Sequence, residues 1–171
     1  VTDDPTVGLV TPRRSKKRPN VLNQAEVAKL LASPKGASPQ ATRDRAILEV
    51  MYACGLRASE VVGLEMSDID THHGMLRARG KGNKERICPL WPETVALLKA
   101  LLRRQPRAAT EPLFVNRYGA PLGASGARFK LAQYVRAAAE NTPSLSSKGV
   151  SPHRFRHATA VHLVAAGVDV T

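Results

Sequence analysis

The spacing of apolar residues changes along this chain, and the changes separate helical from strand-like stretches. Residues 27–31 carry apolar side chains at helical spacing, and Asn23 with Glu26 in front of them is typical of a capping box. A second helix is predicted over residues 42–55, with the threonine at its start as the cap and a glycine near its end. Residues 58–64 predict a short third helix.

Between residues 67 and 89 the pattern becomes that of short strands. Residues 75–78 and 86–89 are strand-like, and the segment between them, residues 79–85, combines glycines with cations. This arrangement predicts an antiparallel hairpin with a basic tip.

The rest of the chain returns to helical spacing. Helices are predicted over residues 92–104 and 125–139, and a last helix begins after a cap at Ser151. Residues 113–115 fit either a short strand or a buried loop, and residues 142–150 predict a polar loop. The fold class expected is mainly α with a small antiparallel β-sheet (α+β), because strands and helices do not alternate as a doubly wound sheet requires.

Charge narrows the function classes. The 26 lysines and arginines outnumber the 14 acidic residues and give a net charge of +12. A domain this basic most often binds nucleic acid, although a solvated basic surface or a membrane-surface protein is the alternative. Aromatic residues make up 4% of the chain, which disfavours binding to unpaired RNA bases. The composition therefore predicts a nucleic acid as the partner.

The lack of a recognisable targeting signal and the two cysteines predict a cytoplasmic protein. We find no signal-peptide pattern and no apolar stretch long enough to cross a bilayer. Cys54 and Cys88 have no metal-like spacing, and they fit reduced thiols of a cytoplasmic protein.

The first nineteen residues differ from the rest in composition. Residues 1–19 hold three prolines and a basic run, and they predict a linker or arm in front of a domain covering residues 20–171. The alternatives for this arm are a disordered tail and a connector from another domain. The arm residues predicted to contact DNA phosphates are Arg13, Arg14, Lys16, Lys17 and Arg18.

The start of the last predicted helix offers groups that bind phosphate. Pro152 suits its first turn, and His153 and Arg156 are three residues apart, so they share a face. The unpaired N–H groups and the positive dipole end of a helix N-terminus favour an anion at this place. His153 and His157 also have the spacing of a zinc pair, but Arg154 stands where the glutamate of H-E-x-x-H would be, which disfavours zinc.

A second candidate group lies at the break after the second helix. Arg57 follows Gly55, and a guanidinium presented from a bend reaches a phosphate bidentately. Glu60 is spaced to hold that guanidinium. The alternatives are a charge complementing the helix dipole for Arg57 and an ordinary surface pairing for Glu60. Lys81 at the hairpin tip is either a mobile surface lysine or an ammonium placed over a groove.

Three motifs carry a resemblance that covers most of the chain from Val21 onward. In chain order they are Gly55-Leu56-Arg57-x-Ser59-Glu60-x-x-Gly63-Leu64, Gly80-Lys81-Gly82-Asn83-Lys84-Glu85-Arg86 and His153-x-x-Arg156-His157-x-x-Ala160-x-His162-Leu163. Together they resemble the tyrosine recombinases, meaning the phage integrases and the Xer-type recombinases.

The resemblance implies strand exchange on double-stranded DNA, the expected partner, through a 3′-phosphotyrosyl bond and without a cofactor or a metal. Carried over by position, Arg57 and Arg156 would clamp the non-bridging oxygens of the scissile phosphate. His153 would serve in proton transfer, Lys81 would protonate the leaving 5′-oxygen, and Glu60 would support the site. The further residues expected to contact DNA are Lys84, Arg86, Arg154 and His157.

The chain departs from the family pattern after the last motif. Tyr52, Tyr118 and Tyr134 all precede the histidine–arginine motif, in the wrong order for the family's nucleophile. We therefore expect a catalytic domain that is incomplete at its C-terminus, that holds a phosphate and that forms no covalent intermediate alone. A non-enzymatic DNA-binding remnant or regulator is the alternative. The resemblance implies a full-length tetramer on DNA, and the chain as given is expected to be a monomer.

Overall fold

The computed structural model describes residues 20–168, and for Lys81 the backbone alone. Within that range, helices dominate and the strands form one small antiparallel sheet, so the predicted α+β class is confirmed. The elements are α1 (Gln24–Leu31), α2 (Pro39–Ala53), α3 (Ala58–Val62), β1 (Ile69–Asp70), β2 (Met75–Arg79), β3 (Glu85–Pro89), α4 (Pro92–Arg104), α5 (Ala124–Ala139), α6 (Ser144–Ser147) and α7 (Pro152–Ala165).

Side-chain caps set where the first helices begin. The predicted capping box of α1 is present, because Asn23 accepts from the Glu26 N–H at 2.8 Å and Glu26 accepts from the Asn23 N–H at 2.8 Å. The predicted cap of α2 at Thr42 is wrong. Ser38 accepts from the Ala41 N–H at 3.1 Å and a proline follows it, so α2 begins one turn earlier.

The sheet has the order β1-β2-β3, and the predicted hairpin is its β2–β3 half. The short strand β1 was not predicted, because two residues are too few to show a strand period. Leu76 pairs with Cys88 and Ala78 with Arg86, which places these four side chains on one face. At the hairpin tip a 3₁₀ turn over Lys81–Asn83 uses positive φ at Gly82 (74°).

The core lies around α2, which packs against both α4 and α7. Leu113 and Phe114 are fully buried in a loop, which decides between the two alternatives for residues 113–115. The predicted polar loop at residues 142–150 contains α6, whose Leu145 is buried in the core. Among residues 20–168, no helix is both long and apolar enough to span a membrane.

Hydrogen bonds fix the rotation of α7 against α2. Ser151 caps α7 as predicted, accepting from the Arg154 N–H at 3.3 Å. Phe155 is fully buried, and the buried Thr159 hydroxyl donates to the Tyr52 carbonyl at 2.8 Å. The Tyr52 hydroxyl also shares a 2.8 Å hydrogen bond with Nδ1 of His162. Arg156, turned by about 100° from Phe155 on the helix, then lies beside α3.

Candidate active site

One buried carboxylate holds three arginines at the junction of α3, β3 and α7. Glu60, which is 8% exposed, accepts from Nη1 of Arg57 at 2.7 Å and from Nη2 of Arg86 at 2.8 Å. Nη1 of Arg156 lies 3.4 Å from the same carboxylate. Glu60 therefore makes no ordinary surface pairing; its buried carboxylate is shared by three guanidiniums.

The charges of this cluster reinforce one another. Burial alone would raise the pKa of Glu60, but hydrogen bonds from Arg86 and Arg57 lower it to about 2. The pKa of Arg86 is raised by Glu60 against the opposing effect of burial. Burial and the neighbouring cation Arg57 lower the pKa of Arg156. With three guanidiniums against one carboxylate, the cluster keeps an excess of positive charge that favours an anion.

A local turn at Gly55 brings Arg57 to this position. Gly55 adopts a left-handed φ of 56°, and its Cα faces the side chains of Thr159 and Arg156, 3.7–3.8 Å from where a Cβ would lie. The chain therefore reverses against α7, and Arg57 becomes the N-cap of α3. Its own N–H donates to Oε2 of Glu60 at 3.0 Å, so the same carboxylate also caps the helix.

An open cavity of about 410 Å³ lies beside the arginines. It is lined by residues of three helices and their caps: Arg57, Ala58, Ser59, Arg128, Ser151, Pro152, His153 and Arg156. His153 is exposed in the first turn of α7. The cavity thus meets a helix N-terminus, whose free N–H groups and dipole attract an anion.

The base of the hairpin tip reaches the same cluster. A Cβ placed on Gly80 would lie 3.6 Å from Oε1 of Glu60 and 3.6 Å from Nη1 of Arg86. Lys81, the next residue, therefore starts its 3₁₀ turn beside the cluster. Lys84 follows on the exposed side of the tip.

The sequence profile described as the Phage integrase family matches residues 20–171. This chain belongs to the phage integrase family. The resemblance predicted from the three motifs is thereby confirmed.

Relatives in the family match nearly the whole length of this chain. It is 36% identical over 172 residues to the tyrosine recombinase XerD of Halalkalibacterium halodurans, covering 98% of this chain and 56% of that protein. It is 38% identical over 172 residues to XerD of Staphylococcus haemolyticus, with 98% and 56% covered. The chain therefore spans little more than half the length of these curated relatives.

Solved structures of the family share the fold. The XerA recombinase superposes with a TM-score of 0.73 at 25% identity, covering 88% of this chain and 52% of that one. The XerH recombinase bound to its palindromic difH substrate, in a post-cleavage complex, gives a TM-score of 0.72 at 24% identity, with 91% and 45% covered.

The structure brings most of the predicted catalytic residues together. Arg57, Glu60, His153 and Arg156 surround or line one cavity, although 96 residues separate Glu60 from Arg156 in the sequence. Arg86, predicted to meet the DNA backbone, instead has its guanidinium on Glu60. Whether these groups perform the roles assigned to them stays a prediction.

The remaining predicted DNA contacts lie on α7, outside the cavity lining, or outside the described residues. Arg154 and His157 are exposed on α7, and Arg154 donates to the Lys148 carbonyl. The arm residues lie outside the described residues, so their DNA contacts stay predictions; they are Arg13, Arg14, Lys16, Lys17 and Arg18.

The described tyrosines lie away from the cavity lining. Tyr52 packs against Trp91 and Phe155, with ring centroids 5.7 Å apart in both pairs. Tyr134 donates to Asp44 at 2.7 Å, and Tyr118 is exposed. These positions fit the packing and surface roles expected for the three side chains.

Sequence reasoning missed one cation of the cavity. Arg128 of α5 lines it together with Arg57, His153 and Arg156. Its neighbours in sequence form no recognisable motif, and its place follows from the packing of α5 alone.

No cluster of three or more metal-ligating side chains occurs among residues 20–168.

Proposed function

We propose that this chain supplies the DNA-binding catalytic domain of a site-specific tyrosine recombinase. The observation that carries the proposal is the pair Arg57 and Arg156, both anchored on the buried Glu60 beside the N-terminus of α7. Membership of the phage integrase family and the likeness to XerH, solved with its difH substrate in a post-cleavage complex, support double-stranded DNA as the partner.

The geometry suits a phosphodiester in its transition state. Negative charge builds up on the two non-bridging oxygens, and Arg57 with Arg156 is placed to bind both of them. Because Glu60 holds these guanidiniums before DNA arrives, little reorganisation is needed, and removing one such contact typically costs about 3–4 kcal/mol of barrier. His153, which lines the cavity beside Arg156, would transfer a proton between nucleophile and phosphate, and Lys81 would protonate the leaving 5′-oxygen. Each such proton transfer is typically worth roughly 10²–10⁴-fold in rate.

The attacking group is a tyrosine other than the three in the described residues. Its oxygen forms a bond to phosphorus, the bond from phosphorus to the 5′-oxygen breaks, and that oxygen takes a proton from the site. Rejoining reverses the step, since a 5′-hydroxyl displaces the tyrosine. The chain as given therefore holds the phosphate and forms no covalent intermediate with Tyr52, Tyr118 or Tyr134.

A second candidate function is DNA binding without catalysis. It is favoured by one observation, the lack of a tyrosine in the cavity lining among residues 20–168. In this case the protein would occupy a DNA site through the same arginines without cutting a strand.

Binding is the first test. The Kd for a fluorescent duplex is measured by anisotropy between 50 and 200 mM salt, with about six phosphate contacts expected to give a slope near −5 in log K against log salt. Arg57→Ala and Arg156→Ala are each expected to weaken binding, and Glu140→Gln, on an exposed carboxylate, serves as a surface control. Binding that ignores salt would count against both functions.

Cleavage separates the two functions. A small nucleophile in solution, hydroxylamine, can replace the missing tyrosine oxygen, so the wild-type chain is expected to nick a supercoiled plasmid in its presence. Arg156→Ala should abolish this nicking. Binding without nicking would favour the non-enzymatic function, and nicking that survives in Arg156→Ala would contradict the assignment of the site.

A further inference from the structure

Arg128 differs from the other arginines of the cavity in having no carboxylate to hold it. It lines the cavity with Arg57 and Arg156, but it is exposed, and among residues 20–168 no acidic side chain lies within ion-pair distance of it. Arg57 and Arg156 both form ion pairs with Glu60. The guanidinium of Arg128 is therefore uncompensated and free to meet an anion.

The buried face of α5 determines where Arg128 lies. Ala127, Leu131, Val135 and Ala138 are buried at helical spacing, so this stripe faces the core. Arg128 follows Ala127 and is turned by about 100° from it, which puts it at the edge of the stripe. Because α5 packs against α3, this edge borders the cavity.

We propose that Arg128 binds a second DNA phosphate, next to the one held by Arg57 and Arg156, and thereby sets affinity rather than cleavage rate. The inference rests on the proposed function, since it needs DNA in this cavity. Arginine suits the role because its planar fork binds phosphate bidentately.

The distinction between affinity and rate follows from how the arginines are held. Transition-state stabilisation needs donors that are fixed before the reaction, and Glu60 fixes Arg57 and Arg156. Arg128 has no such anchor, so its contact forms when DNA binds and changes little as the phosphate reacts. Its loss should weaken the complex and leave the bound complex reactive.

The test compares two variants of the same helix. Arg128→Ala removes the cation at the cavity, and Arg136→Ala removes an exposed cation of α5 that lines a different surface, beside Phe129 and Glu140. Both lose one charge from an exposed helical position, so the fold is expected to survive, and a circular dichroism melt verifies it. Arg128→Lys keeps the positive charge and removes the planar guanidinium that binds phosphate bidentately.

Salt dependence gives the decisive readout. One phosphate contact contributes about 0.9 to the slope of log K against log salt, so a fourfold rise in salt reduces its benefit about 3.5-fold. Arg128→Ala is expected to bind a duplex about tenfold more weakly at 50 mM salt and about threefold more weakly at 200 mM. Arg128→Lys should recover part of the affinity. Nicking with hydroxylamine at saturating protein should keep its wild-type rate.

Each result decides the inference. A slope unchanged in Arg128→Ala, or an equal loss in Arg136→Ala, would overturn it while leaving the proposed function standing. A slope reduced in Arg128→Ala alone supports it. Wild-type protein that fails to bind the duplex would overturn the proposed function itself, and the inference with it. If saturating concentrations of the Arg128→Ala protein fail to nick the plasmid, Arg128 acts on the reacting phosphate, and its assignment to affinity is overturned.

Discussion

Replacing Glu60 with glutamine tests the central feature of the site. The substitution keeps the size of the side chain and removes the charge that three guanidiniums share. Arg57, Arg86 and Arg156 would then face one another without a counter-ion, so both the fold and the arrangement of the arginines are expected to suffer.

The pKa of Glu60 sets the magnitude. A fall from 4.5 to about 2 corresponds to about 3 kcal/mol of stability in the ionised carboxylate. Solvent reduces this value, because the partner side chains are 34–56% exposed. We therefore expect Glu60→Gln to lower the free energy of unfolding by about 1–2 kcal/mol at pH 7.

The pH dependence gives the sign of the effect. Because folding lowers the pKa of Glu60, its contribution is fully present above pH 4.5 and is lost as the pH falls toward 2. The gap in unfolding free energy between wild type and Glu60→Gln should thus be constant from pH 7 to 5 and should close below pH 4.5. Urea unfolding followed by circular dichroism measures it.

A matched control separates this site from acidic residues in general. Glu140→Gln changes an exposed carboxylate at the end of α5, and it should leave stability unchanged at every pH. A gap for Glu60→Gln that stays constant down to pH 3, or that equals the gap for Glu140→Gln, would refute the reasoning. If stability falls as expected, hydroxylamine-dependent nicking should fall with it, since the arginines lose their fixed positions.

Two further outcomes are expected away from the cavity. Asp44→Ala should lower the free energy of unfolding by about 3–5 kcal/mol in urea, because it leaves the buried Arg43, 2.8 Å away through Nε, without its counter-ion. The neighbouring Cys54 thiol and the Arg86 guanidinium lower the pKa of Cys88, whereas the pKa of Cys54 is raised. Iodoacetamide labelling, followed by mass spectrometry, should therefore reach Cys88 at a lower pH than Cys54.

Local signals predicted the helix starts that depend on neighbouring residues. The caps at Asn23 and Ser151 require only a polar side chain and the following backbone, and both form as expected. The start of α2 was misplaced because Ser38 and Thr42 are both competent caps. The proline after Ser38 fits the first helical position, and Thr42 is buried inside the helix.

The inward position of Arg86 was predictable from strand period, although it was assigned to the DNA backbone. Cys88 and Arg86 are two residues apart on β3, so their side chains lie on the same face of the sheet. They pair with Leu76 and Ala78, which are both buried. A strand that turns Cys88 inward must turn Arg86 inward as well. Arg128 had no such signal, because its position depends on how α5 packs against α3.

The spacing of the first motif follows from helix capping. Gly55 supplies the left-handed turn, Arg57 becomes the N-cap, and the carboxylate that accepts from the Arg57 N–H stands three residues later, at Glu60. That carboxylate therefore lies where it also accepts from Arg86, 26 residues away, and from Arg156, 96 residues away. Because two of its partners come from distant segments, this arrangement of three arginines around Glu60 exists only when the fold is complete. An element that caps its own helix thus also fixes the site, and moving Glu60 by one position would break both.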